Sequence, residues 1–168
     1  SKSSRANISF IVNTANYSVK PTTITLNKGI VATSRSFGDE NYTFSIMEDI
    51  TVPVVDDIAT FSNIDVYEGT YVTSEFSYNS YDPNQRFILD NPNIDISTIN
   101  VTWKPSEFSS VKRKYRRSDS LFEVDSQSPV YWVQEIEDER YELIFGDGVF
   151  GIALQEPNFL EVRYLVNN

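Results

Sequence analysis

The chain has 168 residues, a formal net charge of −10, no cysteine and no histidine. That length fits one domain, or two small lobes. The missing residue types exclude a disulfide framework, thiolate or imidazole metal ligation, and the Ser-His and Cys-His nucleophile systems. The acidic balance argues against a nucleic-acid partner, no apolar run reaches membrane-spanning length, and catalysis by carboxylates alone stays open.

Eleven Phe, ten Tyr and two Trp supply an ample core. With Val, Ile and Thr they tilt the composition toward strand. The start at Ser1-Lys-Ser-Ser-Arg5, without an initiator Met or a leader, is expected of a fragment of a longer chain. Asn7–Val12 reads as a first strand. Thr22–Leu26, Asn27–Gly29 and Ile30–Thr33 read as strand, turn and strand, and Ser36–Asn41 as a loop. Tyr42, Phe44 and Ile46 share one strand face. Pro53, between Ile50–Val52 and Val54–Val55, predicts an edge strand. Ile58–Val66 stays extended, Tyr67–Thr70 turns, and Tyr71–Tyr78 resumes alternation with Val72, Phe76 and Tyr78 on one side.

Asn79–Asn84 is the clearest loop and the place for any boundary between two lobes; otherwise 1–168 forms a single β-rich domain. Arg86–Leu89 is β-like and Asp90–Asn93 a turn. The apolar positions Ile94, Ile96, Ile99, Val101 and Trp103 change parity across Ser97-Thr98, which predicts a bend, a bulge or a short helical turn. Pro105–Ser109 suits one helical turn. No stretch sustains a 3.6-residue period. The fold class is mainly β: short antiparallel strands in a sandwich or partly open barrel, with minor helical turns.

Two charged segments follow. Lys112, Arg113, Lys114, Arg116 and Arg117 surround Tyr115. Such a run would grip phosphates with its ring on a base, or lie as a solvated loop or a patch facing an acidic partner; the acidic background favours the latter pair. Residues 121–147 hold eight carboxylates and one arginine, a net of −7. Within them Glu137, Asp138, Glu139 and Arg140 form the expected tip between strands Val130–Ile136 and Tyr141–Phe145. The opposed patches suit contacts between subunits. Glu135, Glu139 and Glu142 make a carboxylate-only glycosidase the catalytic alternative, though acids gathered at a turn more often mark a wet hairpin tip.

Three glycines, Gly146, Gly148 and Gly151, fall within six residues behind Phe145. Asp147-Gly148 is the expected type I′ turn of a hairpin, because both residue types tolerate positive φ. As a calcium ligand Asp147 is far short of the oxygens required. In the final strand Leu160, Val162, Tyr164 and Val166 face the core, while Glu161 and Arg163 pair on a mostly polar face with Leu165.

Taken in order, Leu26–Gly29, Tyr42–Phe44, Val66–Gly69, Asn84-Gln-Arg-Phe87, Asn93–Val101, Val130–Glu135 and Tyr141–Gly151 resemble a known family. It is the baseplate wedge protein of T-even-type contractile-tail bacteriophages, within the broader baseplate J-like proteins. The resemblance spans about residues 20–166. Phe-Gly-Asp-Gly points to the superfamily, and the Asn-Gln-Arg-Phe and Ile-Asp-Ile-Ser-Thr elements to the wedge protein. Ile152 stands where the pattern has Lys, and Ser106–Asp119 matches nothing in it.

The resemblance implies a structural subunit in a ring around the tail hub of the virion, assembled in the host cytoplasm. Its implied partners are copies of itself and other wedge subunits, with a part in passing on the trigger for contraction. It implies no enzymatic activity, cofactor or metal, and no small-molecule ligand, nucleic acid or membrane is expected as a partner. Phe145, Gly146, Asp147, Gly148 and Gly151 are then a structural turn, and the two charged segments the interface candidates. The reading from a different class is a carbohydrate-binding or tail-fibre-like adhesion module, with Trp103, Trp132, Tyr78 and Tyr81 stacking on sugars.

Overall fold

A computed structural model describes residues 2–34 and 41–167, so most of the Ser36–Asn41 loop lies outside the described residues. Thirteen strands and one three-residue 3₁₀ turn occur among the described residues. The chain divides into two compact units. One comprises Ser1–Tyr71 with Leu165–Asn168, the other Val72–Tyr164. The loop 79–84 falls inside the second.

The first unit is organised on one long strand. β6 (Ile58–Glu68) pairs along its length with β1 (Arg5–Asn13). Its other edge takes two shorter strands in succession, β5 (Ile50–Val55) and β4 (Thr43–Ile46). β2 (Thr23–Leu26) pairs with β5 and β3 (Gly29–Thr33) with β4, all antiparallel. β2 and β3 are therefore not paired with each other, although only a short turn separates them. The core is Ile46, Ala59, Phe61, Ile64 and Val66, packed by Ile8, Phe10, Val12 and their neighbours. The rings of Phe10 and Phe61 stack 4.8 Å apart.

Strict alternation would put Phe61 and Ile64 on opposite faces. The register of β1 against β6 shifts between Ile8 and Phe10, and Asn63 takes φ 54°. This bulge turns both side chains inward, and the Asn63 N–H donates to Ser9 Oγ at 3.0 Å. The two-residue turn with both centres at positive φ occurs here, at Asp56 (φ 50°) and Asp57 (φ 63°) between β5 and β6. The Thr14 N–H and hydroxyl both donate to the Asp57 carbonyl, at 2.8 and 3.0 Å.

β5 has partners on both sides, contrary to the edge strand that Pro53 predicted. Pairing to β6 stops at Val54, however, and the Val54 N–H points to Thr22 on the β2 side. The nitrogen of Pro53 faces the other way, where no ladder bond is needed.

The second unit contains a seven-stranded sheet in the order β7-β13-β9-β10-β11-β12-β8. These are β7 (Thr70–Ser77), β8 (Phe87–Leu89), β9 (Ile94–Lys104), β10 (Arg113–Arg117), β11 (Val130–Glu135), β12 (Tyr141–Phe145) and β13 (Phe159–Val166). β10 and β11 run parallel, and residues 118–129 provide the crossover that a parallel pair requires.

β7 and β8 are the two ends of the order, yet Phe76 and Phe87 meet edge to face at 5.6 Å. The sheet thus curls into a barrel nearly closed by side chains rather than by a ladder, within the expected fold class. Gln85 completes the closure: its amide donates to Ser77 O at 2.8 Å, and its carbonyl accepts the Asn79 N–H at 2.8 Å. Phe145 packs against Phe87, Tyr115 and Tyr131 at 5.2, 6.1 and 6.4 Å.

β13 is covered on both faces, because Phe159 and Leu165 are buried as well as Leu160, Val162 and Tyr164. Its expected polar face is therefore only partial. Arg163 donates to Thr102 Oγ1 on β9 at 3.2 Å instead of serving the expected Glu161 pair. The parity change in β9 involves no helical turn. The strand is continuous, and Pro105–Ser109 likewise forms a turn rather than a helix.

Candidate functional site

The glycine-rich stretch, the two charged segments and the motifs Asn84–Phe87 and Ile94–Thr98 all lie in the second unit, so the candidate site is a set of surfaces on one barrel. β12 ends at Phe145, and the chain then folds onto itself. The Asp147 carboxylate accepts the N–H groups of both Val149 and Phe150 at 2.8 Å. The Gly148 N–H donates to Gly151 O at 3.1 Å.

Gly148 and Gly151 have positive φ, but Asp147 does not, and no strand returns alongside β12. The expected type I′ hairpin is absent. An Asx-type loop replaces it, because the aspartate side chain caps the N–H groups that a returning strand would have paired. The chain re-enters by a single parallel bridge between Gly146 and Ala153.

This geometry explains the glycines. A Cβ on Gly146 would stand 2.2 Å from the carbonyl carbon of Gly151, and one on Gly151 would meet Val130 Cγ2 at 3.0 Å. The two backbones touch, and only glycine permits that at Gly146. The loop is then sewn to the crossover: the Gly151 N–H donates to Asp125 O at 2.8 Å and the Ile152 N–H to Ser128 O at 3.0 Å. Asp125 in turn accepts the Gln127 N–H and the Ser128 hydroxyl, at 2.8 and 3.1 Å. Those bonds hold its carboxyl below the usual range. The backbone donors of Phe150 and Val149 do the same for Asp147. Neither group is a proton donor near neutrality.

The other motifs serve the barrel in the same way. In Asn84-Gln-Arg-Phe87, Gln85 makes the closing bonds and Phe87 fills the barrel. Arg86 grips Glu142 through two bonds, Nε–Oε1 at 3.0 Å and Nη2–Oε2 at 2.6 Å. That hydrogen bonding, and then the guanidinium charge, keeps Glu142 below the usual carboxyl range against the opposing effect of burial. A carboxylate so held is a poor general acid.

In Ile94-Asp-Ile-Ser-Thr98, Asp95 is buried; it accepts the Ser97 N–H at 3.0 Å and the Ser97 hydroxyl at 2.6 Å. Thr98 Oγ1 donates back to Asp95 O at 2.6 Å, so local side-chain bonding lies at the parity change. Arg140 meets Asp90 at 2.9 Å, across from the acidic tip. Sequence periodicity gave no sign of these stitches, whose signal is short polar residues spaced two or three apart.

Arg113–Arg117 of the basic run forms the strand β10, so of the two readings favoured above, a solvated loop or a patch facing an acidic partner, it is not the loop. Tyr115 is 2% exposed and stacks on Trp103 at 6.5 Å. Its ring is committed to the core, so it has no free face for a base. Lys112, Arg113, Lys114, Arg116 and Arg117 remain at the surface around it. β10 meets β11 at Arg117 opposite Tyr131, whereas Glu137, Asp138 and Glu139 lie beyond the far end of β11. At about 3.3 Å per residue, Arg113 and Glu135 are roughly 25 Å apart along the strands. The start of the basic run and the acidic tip 137–139 therefore lie toward opposite ends of the β10–β11 pair, while Arg117 lies about 13 Å from Glu135 by the same count. The tip itself is a short 3₁₀ turn, with Asp138 at φ 61° and Glu139 at φ 56°.

A groove of about 560 Å³ opens on the outer face of β11 and β12, lined by Leu121, Trp132, Ile144, Phe145 and Phe150, with Asp119 and Asp147 at its rim. A second, polar notch of about 490 Å³ lies among Arg86, Gln134, Glu135, Glu137 and Arg140. No group of three or more Asp or Glu among the described residues is arranged to hold a metal ion.

Residues 73–166 match the family described as bacteriophage baseplate wedge protein gp6, third domain. The chain belongs to that family. The match covers nearly all of the second unit and begins in β7, so the earlier motifs at Leu26–Gly29, Tyr42–Phe44 and Val66–Gly69 lie outside it. A search of curated proteins finds no match. The baseplate wedge family is structural, and the chain's role is that of a structural domain in a phage tail baseplate. The closed loop at Phe145–Gly151, the stitched Asn84–Phe87 corner and the Asp95 network are parts of the matched domain that hold its loops and corners in place.

Proposed function

We propose that this domain works by protein–protein association, joining other wedge subunits and copies of itself during baseplate assembly and passing on the trigger for sheath contraction. The observation that carries this reading is the separation of charge. Arg113, at the start of β10, and Glu135, just before the Glu137–Glu139 tip, are about 25 Å apart along the strands, so the two patches would meet different neighbours rather than each other. Complementary ends of this kind steer and register subunits in an assembly, and a stiff barrel between them transmits force without deforming. Assembly in the host cytoplasm precedes incorporation into the virion.

The glycan-binding alternative has less support. Trp103 spends its ring on Tyr115, and Tyr81 stands alone on an exposed loop. The test is to purify tails from phage carrying the full-length protein with Lys112, Arg113 and Arg116 changed to Glu, or with Glu137, Asp138 and Glu139 changed to Lys. Each set is expected to deplete assembled baseplates while leaving the subunit folded. Normal incorporation of both variants, or absence of the wild-type protein from tails, would overturn the reading.

A further inference from the structure

The basic run is continuous in the sequence, but its strand divides it. Tyr115 faces the core, so Lys114 and Arg116 stand on the outer side of β10. Lys114 is paired with Thr102 on β9, which puts the Thr102 side chain on the same side. The Thr102 hydroxyl accepts a bond from Arg163 Nη2 on β13 at 3.2 Å. Further along those two faces, the Lys104 ammonium lies 5.2 Å from the centre of the Phe159 ring. Three adjacent strands, β13, β9 and β10, thus bring Lys104, Lys114, Arg116 and Arg163 to one outer face.

Glu161 shares that face. Glu75 flanks it on β7, since its neighbours Ser74 and Phe76 turn inward to Tyr164 and Phe87. Four cations against two carboxylates reverse the sign of a chain whose net charge is −10. None of the ion pairs among the described residues includes Lys104, Arg116 or Arg163. Arg163 is half-buried, its Nε is enclosed with no acceptor, and its guanidinium bonds only a neutral hydroxyl among the described residues. A partly desolvated guanidinium without a counter-ion is costly, and a carboxylate brought to it relieves that cost.

The spacing selects the occupant. Side chains on this face stand about 4.8 Å apart across strands and about 7 Å apart along one. An extended segment with carboxylates at alternate positions has the same repeat. No strand among the described residues of this chain carries two carboxylates at alternate positions, so a second copy offers no such segment. The acidic surroundings disfavour a nucleic acid, whose charge runs on beyond the patch.

We infer that the outer face of β13, β9 and β10 docks an extended acidic segment of a different protein. One of its carboxylates meets Arg163, and its neighbours meet Lys104, Lys114 and Arg116. This inference rests on the association reading above and adds the face and the chemistry of the partner.

Two measurements test it. In purified tails, a zero-length carbodiimide joins a lysine amine only to a carboxylate in contact with it. The expected products link Lys104 or Lys114 to an Asp or Glu of a different protein. With the 168-residue chain, a labelled peptide alternating Glu and Thr is expected to bind at low salt, read by fluorescence anisotropy. Arg163→Gln and Arg116→Gln should each weaken that binding by about tenfold, the size of a lost charge-assisted bond. Lys28→Gln, in the first unit, should leave it unchanged. Thermal melting checks that each variant folds, and the exposed Arg116 carries the comparison if Arg163→Gln does not.

A peptide that fails to bind, one that both arginine variants hold as tightly as the wild type, or equal weakening by all three changes would overturn the proposal. Tighter binding of a thymidine oligonucleotide of equal charge would do so as well. So would tails in which neither lysine cross-links, or in which both link only to this chain's own sequence. Absence of the protein from tails would instead remove the baseplate reading, and the peptide measurement would still decide this one.

Discussion

The two units solve the same problem by different means. In Ser1–Tyr71, a single long strand pairs with one long strand on one edge and gathers two short ones on the other, and an aliphatic core with one Phe–Phe stack holds them. In Val72–Tyr164, a curled sheet encloses aromatic rings, Gln85 helps close it, and further polar side chains fix its corners and loops: Arg86 with Glu142, Asp95 and Asp147. A core of the first kind tolerates many apolar sequences of similar volume, since shape and pattern suffice. A closure of the second kind needs named residues at named places. The family match falls on the second unit, where the chemistry is least interchangeable.

The largest expected effect tests that contrast at its most demanding point. Gly146→Ala forces a Cβ to 2.2 Å from the Gly151 backbone and should cost about 4 kcal/mol or more in urea unfolding. Gly29→Ala, in the first unit, meets nothing within 4 Å and bears only the strain of φ +116°, on the order of 1–2 kcal/mol. Equal losses at the two sites would erase the distinction.

Phe61→Ala should cost about 3–5 kcal/mol, whereas Phe61→Leu, which keeps most of the volume, should cost much less. A Leu variant as damaged as the Ala variant would show the first core to be as particular as the second.

The alkaline limb comes next. Burial pushes the Tyr131 hydroxyl up to about 12 and raises Tyr115 and Tyr164 as well. A group raised in the folded state stabilises below its unfolded value, near 10, and that contribution disappears as pH rises toward 12. For Tyr131 this amounts to at most about 2–3 kcal/mol. Spectrophotometric titration should show a late-ionising class, and Tyr131→Phe should flatten the stability loss over that range.

The smallest effect is Glu142→Gln. The Glu142 carboxyl is held low by Arg86, so its contribution is present above pH 4.5 and is lost as pH falls through the depressed value. Because Arg86 is half exposed, the loss should be about 0.5–1 kcal/mol and absent at strongly acid pH. An unchanged acid limb would mean that the pair positions Phe87 without stabilising the barrel.

Particular residues show how far the sequence could be read. Alternation located most strands, including the β11–β12 hairpin and the buried face of β13, because each has one face in the core and a period of two. The bulge at Asn63 was illegible, since Ala59, Phe61, Ile64 and Val66 look extended while hiding a parity change. The turn chemistry was also misplaced. Asp-Gly was expected to reverse the chain by a type I′ turn, but Asp147 caps instead, and the unassigned pair Asp56-Asp57 forms the two-residue turn. Both dipeptides tolerate the conformation, and only the neighbouring strands select which one adopts it.

The sequence by itself determined the β class, the lack of histidine and cysteine chemistry, and the motif set that marks the family, because these depend on residue type and local spacing. Tertiary structure decided what spacing does not encode. It ran β10 parallel to β11, buried Tyr115 within the basic run, set the start of that run and the acidic tip toward opposite ends of the β10–β11 pair, and brought Gly146 against Gly151. Those are contacts between residues distant in the chain or constrained by their neighbours, fixed by how the sheet curls and closes rather than by the preferences of any one segment.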